Sequence, residues 1–185
     1  VVRGDFGAAH HGDAVMRLGY VIAPGPGALD VFLALVAQTM KAQGLRVAGA
    51  VQRTLGGAGL SRGEMRLQIL SGGEFLISQR LGAGAQGCRL DPGALEAAVM
   101  AVGRDLDHDT HVLILNKFGK QEALGRGFAP LIAEALGNDV PVLLGVHSNN
   151  MQAFQDFEGG MAQALPYDLV TVERWCLDAA RCRQG

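Results

Sequence analysis

Short apolar runs take turns along this chain with longer amphipathic stretches, and that alternation leaves few architectures open. Residues 18–23 (LGYVIA) form a first strand-like run, closed by the Pro/Gly cluster at 24–27. Over 28–43, Leu29, Phe32, Leu33, Val36 and Met40 recur at spacings of three and four, a helical stripe that Gly44 stops. Residues 46–52 (RVAGAVQ) predict a second strand. Two alternating runs, 65–70 and 75–79, flank Ser71-Gly72-Gly73-Glu74, a hairpin signal. Asp91 is placed to cap a helix with Pro92 in its first turn and an apolar stripe over 94–106. Residues 112–115 are uniformly β-branched or leucine, as in a strand buried on both faces. The remainder predicts a helix over about 121–136, a buried strand over 140–146 and a helix over 150–164. A short strand over 169–172 and a terminal helix over 173–183 complete the pattern. The expected class is α/β: a mainly parallel sheet with helices on both faces and one β-hairpin at the edge.

Length and composition agree with one domain. The chain has 185 residues, 49% of them apolar and 18% charged, enough for a real core. The domain is expected over residues 16–185. Residues 1–15 hold Asp5, His10, His11 and Asp13 and no apolar h-region, so they read as a flexible extension, not a signal peptide. Sixteen basic residues against eighteen acidic give a net charge of −2, which argues against nucleic acid as partner. No apolar run approaches the ~18 residues of a membrane span. Cys88, Cys176 and Cys182 form no C-x-x-C pair and no zinc spacing, and an odd count without a framework points to a reducing cytoplasm.

Ligands of such sheets bind at the carboxyl ends of the strands. Four loops then matter: 23–30, 52–62, 116–122 and 146–150. The first reads APGPGALD and opens the first helix, where a phosphate-binding loop would sit. A working loop of that kind needs G-x-x-x-x-G-K-[ST], with lysine for the outer phosphates and a hydroxyl for magnesium. Gly25 and Gly27 keep the flexibility, but Leu29 and Asp30 stand in the region of the lysine and hydroxyl. An altered anion loop built from backbone amides and a plain strand-to-helix turn both fit.

The third loop is more telling. The chain has three lysines, Lys41, Lys117 and Lys120, and two of them fall in NKFGKQE (116–122). Lysine is disfavoured near a positive helix start, and an anion held between the two would relieve that. At the same end of the sheet, Gln52 and Arg53 close the second strand, where Arg53 offers a charged fork. His147 and Ser148 follow the buried strand at 140–146, where His147 could donate to an anion and Ser148 or Asn149 could cap the next helix. Cys88 and Arg89 precede the Asp91 cap, with Arg89 a surface charge or a further anion contact. The cluster Asp105, Asp107, His108, Asp109 and His111 enters a strand from its amino end, which favours a solvated turn over a metal site.

Several separated segments carry a family resemblance: the first strand, RVAGAVQR (46–53), CRLDPGALEAA (88–98), NKFGKQEALGRGF (116–128) and PVLLGVHSNNMQAF (141–154). From about 18 to 172 the order of elements resembles a bacterial family related to P-loop nucleoside-triphosphatases. The triphosphatase relatives carry a pattern like I-D-E-I-G-K-M-E after the central strand, and LNKFGKQE aligns with it without a gap. Asn116 and Lys117 then stand where the resemblance puts the magnesium-orienting aspartate and the catalytic glutamate. Triphosphate hydrolysis depends on positioning, metal and charge stabilisation, so their replacement implies that hydrolysis is lost. Genes of this family often lie beside molybdate-transport genes. The resemblance therefore implies an oxyanion such as molybdate or tungstate, held by backbone amides of Gly25 and Gly27 with Asn116, Lys117, Lys120, Gln52, Arg53, His147 and Ser148. Two alternatives stay open: a nucleotide-binding enzyme using Glu122 and His147, and a ligand-free interaction module, with a homo-oligomer compatible with each.

Overall fold

The computed structural model describes residues 17–54, 64–79 and 90–182. In chain order they form β1 (Leu18–Val21), α1 (Ala28–Ala42), β2 (Val47–Thr54), β3 (Met65–Ile69), β4 (Glu74–Leu76) and α2 (Pro92–Asp105). β5 (Val112–Phe118), α3 (Lys120–Ala123), α4 (Ala129–Gly137) and β6 (Val142–Val146) follow, then α5 (Met151–Glu158), β7 (Ala162–Leu165) and α6 (Leu169–Arg181). Among the described residues the strands make one sheet in the order β4-β3-β2-β5-β6-β1-β7. The β2-β5-β6-β1-β7 pairings are parallel, and β3 and β4 add an antiparallel hairpin at one edge.

Two apolar layers cover this sheet. On one face, α1 contributes Leu29, Phe32, Leu33, Val36 and Met40, and α6 contributes Val172, Trp175 and Cys176, against Val51, Ile114 and Leu143. On the other, Leu95, Ala98 and Val102 of α2, Leu131 and Ile132 of α4, and Phe154 of α5 pack on Ala50, Leu113, Leu115 and Leu144. Each fully buried leucine, valine or phenylalanine side chain contributes about 1.5–3 kcal/mol. Because strands between these layers face apolar neighbours on both sides, β6 and the 112–115 part of β5 are uninterrupted apolar runs.

The caps confirm several expected boundaries. The Asp91 carboxylate accepts from the Ala94 N–H at 3.1 Å and Pro92 opens α2. Before α1, Ala28 N donates to Gly25 O across Pro26 and Gly27, with Gly27 at φ 73 and ψ −11. That is a type II turn, whose third position takes a positive φ that glycine tolerates.

Four expectations need correction. The helix expected over 150–164 ends at Glu158, because Gly159 and Gly160 take φ 59 and 86, and residues 162–165 then pair with β1 as the edge strand β7. The strand expected over 169–172 is the first turn of α6. The Asp168 carboxylate accepts from the Thr171 N–H at 2.8 Å and from its hydroxyl at 2.6 Å, and this cap outweighs the β-branched run. The helix expected over 121–136 is two helices, α3 and α4, with Pro130 in the first turn of the second. Finally, β5 does not stop at Leu115 but runs on through Asn116 and Lys117 to Phe118. Residues 1–15, most of the loop at 52–62, and Cys88 with Arg89 lie outside the described residues.

The acidic cluster at the amino end of β5 is a stitched turn. Arg46 forks onto Asp107 at 2.7 Å and Asp109 at 2.9 Å, while its N–H donates to His111 Nδ1 at 3.0 Å. Among the described residues no group of three or more His, Cys, Asp or Glu side chains is placed to hold a metal ion. No helix among them is long and apolar enough to cross a membrane.

Candidate functional site

The carboxyl ends of β2, β5, β6 and β1 point the same way, so the loops singled out from the sequence open on one end of the sheet. β5 is the key element. Its pairing with β6 matches Asn116 to Gly145 and then Phe118 to Val146, which leaves Lys117 as an extra residue in a bulge. A bulge re-aims a side chain. Here it leaves Lys117 exposed between two buried neighbours, Asn116 and Phe118, with the Phe118 ring against Phe154 and Phe157.

Asn116 turns toward α1. Its Nδ2 donates to Asp30 Oδ1 at 2.6 Å, and its own Oδ1 is buried with no partner among the described residues. Gly145, on the adjacent strand, makes room for it. A Cβ there would lie 3.1 Å from Asn116 Oδ1 and 2.8 Å from Leu33 Cδ1. Asp30, in the region where a phosphate-binding loop has its lysine and hydroxyl, and Asn116, where the resemblance puts the magnesium-orienting aspartate, are therefore joined directly. Magnesium prefers an octahedron of oxygen ligands. Asn116 offers Asp30 an N–H, and Lys117 puts a cation where the second carboxylate would stand. The residues present do not fit that ion.

Among the described residues two cavities flank this end of β2 and β5. One, of 450 Å³, lies beside α1 and is bordered by Gly27, Asp30, Val31, Gln52 and Arg53. The other, of 370 Å³, lies on the α2 side and takes in Gln52, Asn116, Lys117, Lys120 and Glu122. Gln52 borders both. Gly25, His147 and Ser148 line neither. His147 caps the 3-10 turn at Ser148–Asn150, its Nδ1 accepting from Asn149 N–H at 3.2 Å, and Asn150 Nδ2 donates to Phe118 O at 3.2 Å. The cap of the following turn is thus His147, in place of Ser148 or Asn149. Asn150, which ties this turn to the end of β5, gives no such signal in the sequence.

Glu122 is the other residue whose role depends on the fold. It is buried, and its two oxygens accept from Gly119 N–H at 3.0 Å and Phe128 N–H at 3.1 Å, closing the loop that carries Lys120. Burial pushes its pKa above the ordinary value, against the opposing pull of these amides. A carboxyl that holds its proton more tightly folded than unfolded lowers stability as pH rises. That loss begins at the ordinary value of 4.5 and is complete above the raised one. The stability advantage of the wild type over Glu122→Gln should therefore shrink as pH rises through this window. Paired thermal melts from about pH 4 to 8 measure it, and a difference that stays constant would refute the assignment.

With this geometry in hand, the relatives can be placed. The molybdenum import ATP-binding protein ModC 2 of Bradyrhizobium diazoefficiens is 36% identical over 153 residues, which cover 82% of this chain. The chain spans only 17% of that relative's length. Among solved structures, a human cancer-related nucleoside triphosphatase superposes with a TM-score of 0.59 at 17% identity, covering 90% of this chain and 96% of that one. THEP1 from Aquifex aeolicus does so with a TM-score of 0.59 at 14% identity, covering 91% and 99%. At these identities the two structures establish a shared P-loop triphosphatase fold, in keeping with the parallel sheet and its antiparallel edge. Over residues 18–175 the chain matches, and belongs to, the family described as "Protein of unknown function (DUF2478)".

Proposed function

We propose that this protein is a non-hydrolytic anion-binding domain on a P-loop-related fold, serving molybdenum homeostasis in the cytoplasm with molybdate or tungstate as ligand. The Asn116–Asp30 hydrogen bond carries the reading, because it occupies the place where a triphosphatase would share a magnesium ion. Lys117, lifted out of β5 by the bulge, supplies positive charge beside it, and Lys120 adds a second cation on the same cavity. Gln52 and Arg53 extend the donor set at the end of β2, while the Gly25–Gly27 turn and the His147–Ser148 corner lie at the same end of the sheet, with Gly27 alone of these lining a cavity. The similarity to a protein named for molybdenum import supports the choice of ligand. A second reading, nucleotide binding without turnover, is supported by the same relative's name and by the triphosphatase fold.

Calorimetry and thermal shift with molybdate, tungstate, sulfate, phosphate, ATP and GTP, each with and without magnesium, test the proposal. Oxyanions should stabilise the wild type without magnesium, by mass action on the folded state. A charge-assisted contact contributes about 1.5–3 kcal/mol, so Lys117→Ala should weaken binding roughly tenfold to a hundredfold. Lys41 is the control. It lies at the other end of α1, where its ammonium bonds the Leu70 carbonyl, so Lys41→Ala should lower stability and leave anion affinity unchanged. Equal anion affinity in wild type, Lys117→Ala and Lys120→Ala would place the site elsewhere. No anion response at all would favour the ligand-free interaction module.

A further inference from the structure

We propose that the 370 Å³ cavity on the α2 side binds a small organic anion: an apolar body ending in one carboxylate or phosphate group. This rests on the reading that Lys117 and Lys120 hold an anion, and it adds to the bare oxyanion a second class of ligand that the same two lysines would take. The volume lies within the range of small-molecule sites. Its walls are Met65 and Leu67 of β3, Ile77, Leu90, Leu95 of α2 and Phe128, all apolar. Its polar border is formed by Gln52 at the end of β2, Asn116 and Lys117 of β5, and Lys120, Gln121 and Glu122 of α3, and among the described residues Lys117 and Lys120 are its cations. Glu122 also borders the cavity, but both of its oxygens are engaged by the Gly119 and Phe128 amides.

A bare tetrahedral oxyanion gains nothing from such walls, since lodging it against them strips water without returning hydrogen bonds. A ligand with a hydrocarbon or aromatic body gains at each contact, about fourfold in affinity per buried methylene. Lysine is suited to the head group, because its long apolar stem follows the cavity wall while the ammonium stays at the wet rim. One cavity thus offers an apolar floor and a cationic mouth, which is the complement of an amphiphilic anion.

The experiment titrates acetate, butyrate, octanoate, 2-naphthoate, octyl phosphate and octanol into the whole protein, by calorimetry and by the ¹³C shift of the Met65 methyl. Octanoate should bind at least roughly thirtyfold tighter than acetate. Octanol should bind more weakly than octanoate, and Lys117→Ala with Lys120→Ala should remove that difference. Leu95→Phe, which fills the cavity, should weaken octanoate at least roughly tenfold and leave molybdate alone. Should that variant fail to fold, the Met65 shift in the wild type still decides, because only a ligand inside the cavity moves it. The carboxylate and phosphate arms identify the preferred head group, and tight binding by either supports the site. If octanoate binds no tighter than acetate, or leaves the Met65 methyl unmoved, the organic-anion site is overturned. Molybdate binding that still depends on Lys117 would in that case leave the oxyanion reading standing. Failure of both would remove both.

Discussion

ATP and GTP incubated with the protein and magnesium are expected to be turned over at background rate. Ordinary enzymes work at about 1–10³ per second, so the expected deficit is several orders of magnitude. Phosphoryl transfer asks little covalent chemistry of a protein, and its rate comes from positioning, metal and charge stabilisation. On the proposed reading each of those supports has been replaced. The loop before α1 is a four-residue turn over Gly25 and Gly27, and it is followed by Leu29, buried in the core, and Asp30. Asn116 gives its N–H to Asp30 where a metal-orienting oxygen is needed. Lys117 stands where the resemblance puts the catalytic carboxylate, and its ammonium has no lone pair with which to accept a proton from water. A malachite-green phosphate assay on repurified protein measures the outcome. Magnesium-dependent turnover near one per second that survives repurification would show that another set of groups, with Glu122 and His147 first in line, performs the reaction.

The fold was largely readable where local signals agree. Asp91 with Pro92, the stripe from Leu29 to Met40, and the Ser71-Gly72-Gly73-Glu74 turn each combine a cap or turn residue with the matching periodicity, and each element is present. Misreadings arose where two local signals conflict. Around Asp168, the run LVTV favours a strand by side-chain shape, while the Asp168 carboxylate favours a helix by capping Thr171, and the cap prevails. At Gly159-Gly160 the apolar spacing carries on past the residues that stop α5, and the continuation is the strand β7.

The candidate site was legible in its residue types and its end of the sheet, not in its contacts. Hydropathy ends β5 at Leu115, because Asn116 and Lys117 are polar, yet the backbone keeps pairing with β6 through the bulge. No local rule indicates that Asn116 meets Asp30, which is 86 positions away. The role of Glu122 left a faint trace: a glutamate three residues after Gly119, at the capping-box spacing, though with glycine in place of the usual Ser or Thr. The apolar cavity left none, since β3, α2, β5 and the α3 region all contribute to its walls.

Asn116→Asp tests most directly whether this end of the sheet has exchanged a metal for a hydrogen bond. The substitution keeps the size of the side chain and replaces its N–H with an oxygen. The contact that is now 2.6 Å from Asn116 Nδ2 to Asp30 Oδ1 would then bring together two carboxylates, one of them on a strand position buried to 2% exposure. A hydrogen bond to a charged group is lost and a like-charge repulsion gained, so the variant should be destabilised by about 3 kcal/mol at neutral pH. Two carboxylates in one site cannot both ionise cheaply, and one pKa must rise. The sign follows: the folded variant binds a proton that the unfolded chain releases, so its deficit should shrink as pH falls below the raised value. A divalent cation offers the same relief. Magnesium should recover part of the lost stability in Asn116→Asp and do little for the wild type, because only the variant presents two facing carboxylates to it. Denaturant melts at two pH values, with and without magnesium, read all three effects. A variant as stable as the wild type, or one indifferent to both acid and magnesium, would mean that Asn116 and Asp30 do not share the site of a lost metal, and the anion-binding reading would lose the observation that carries it.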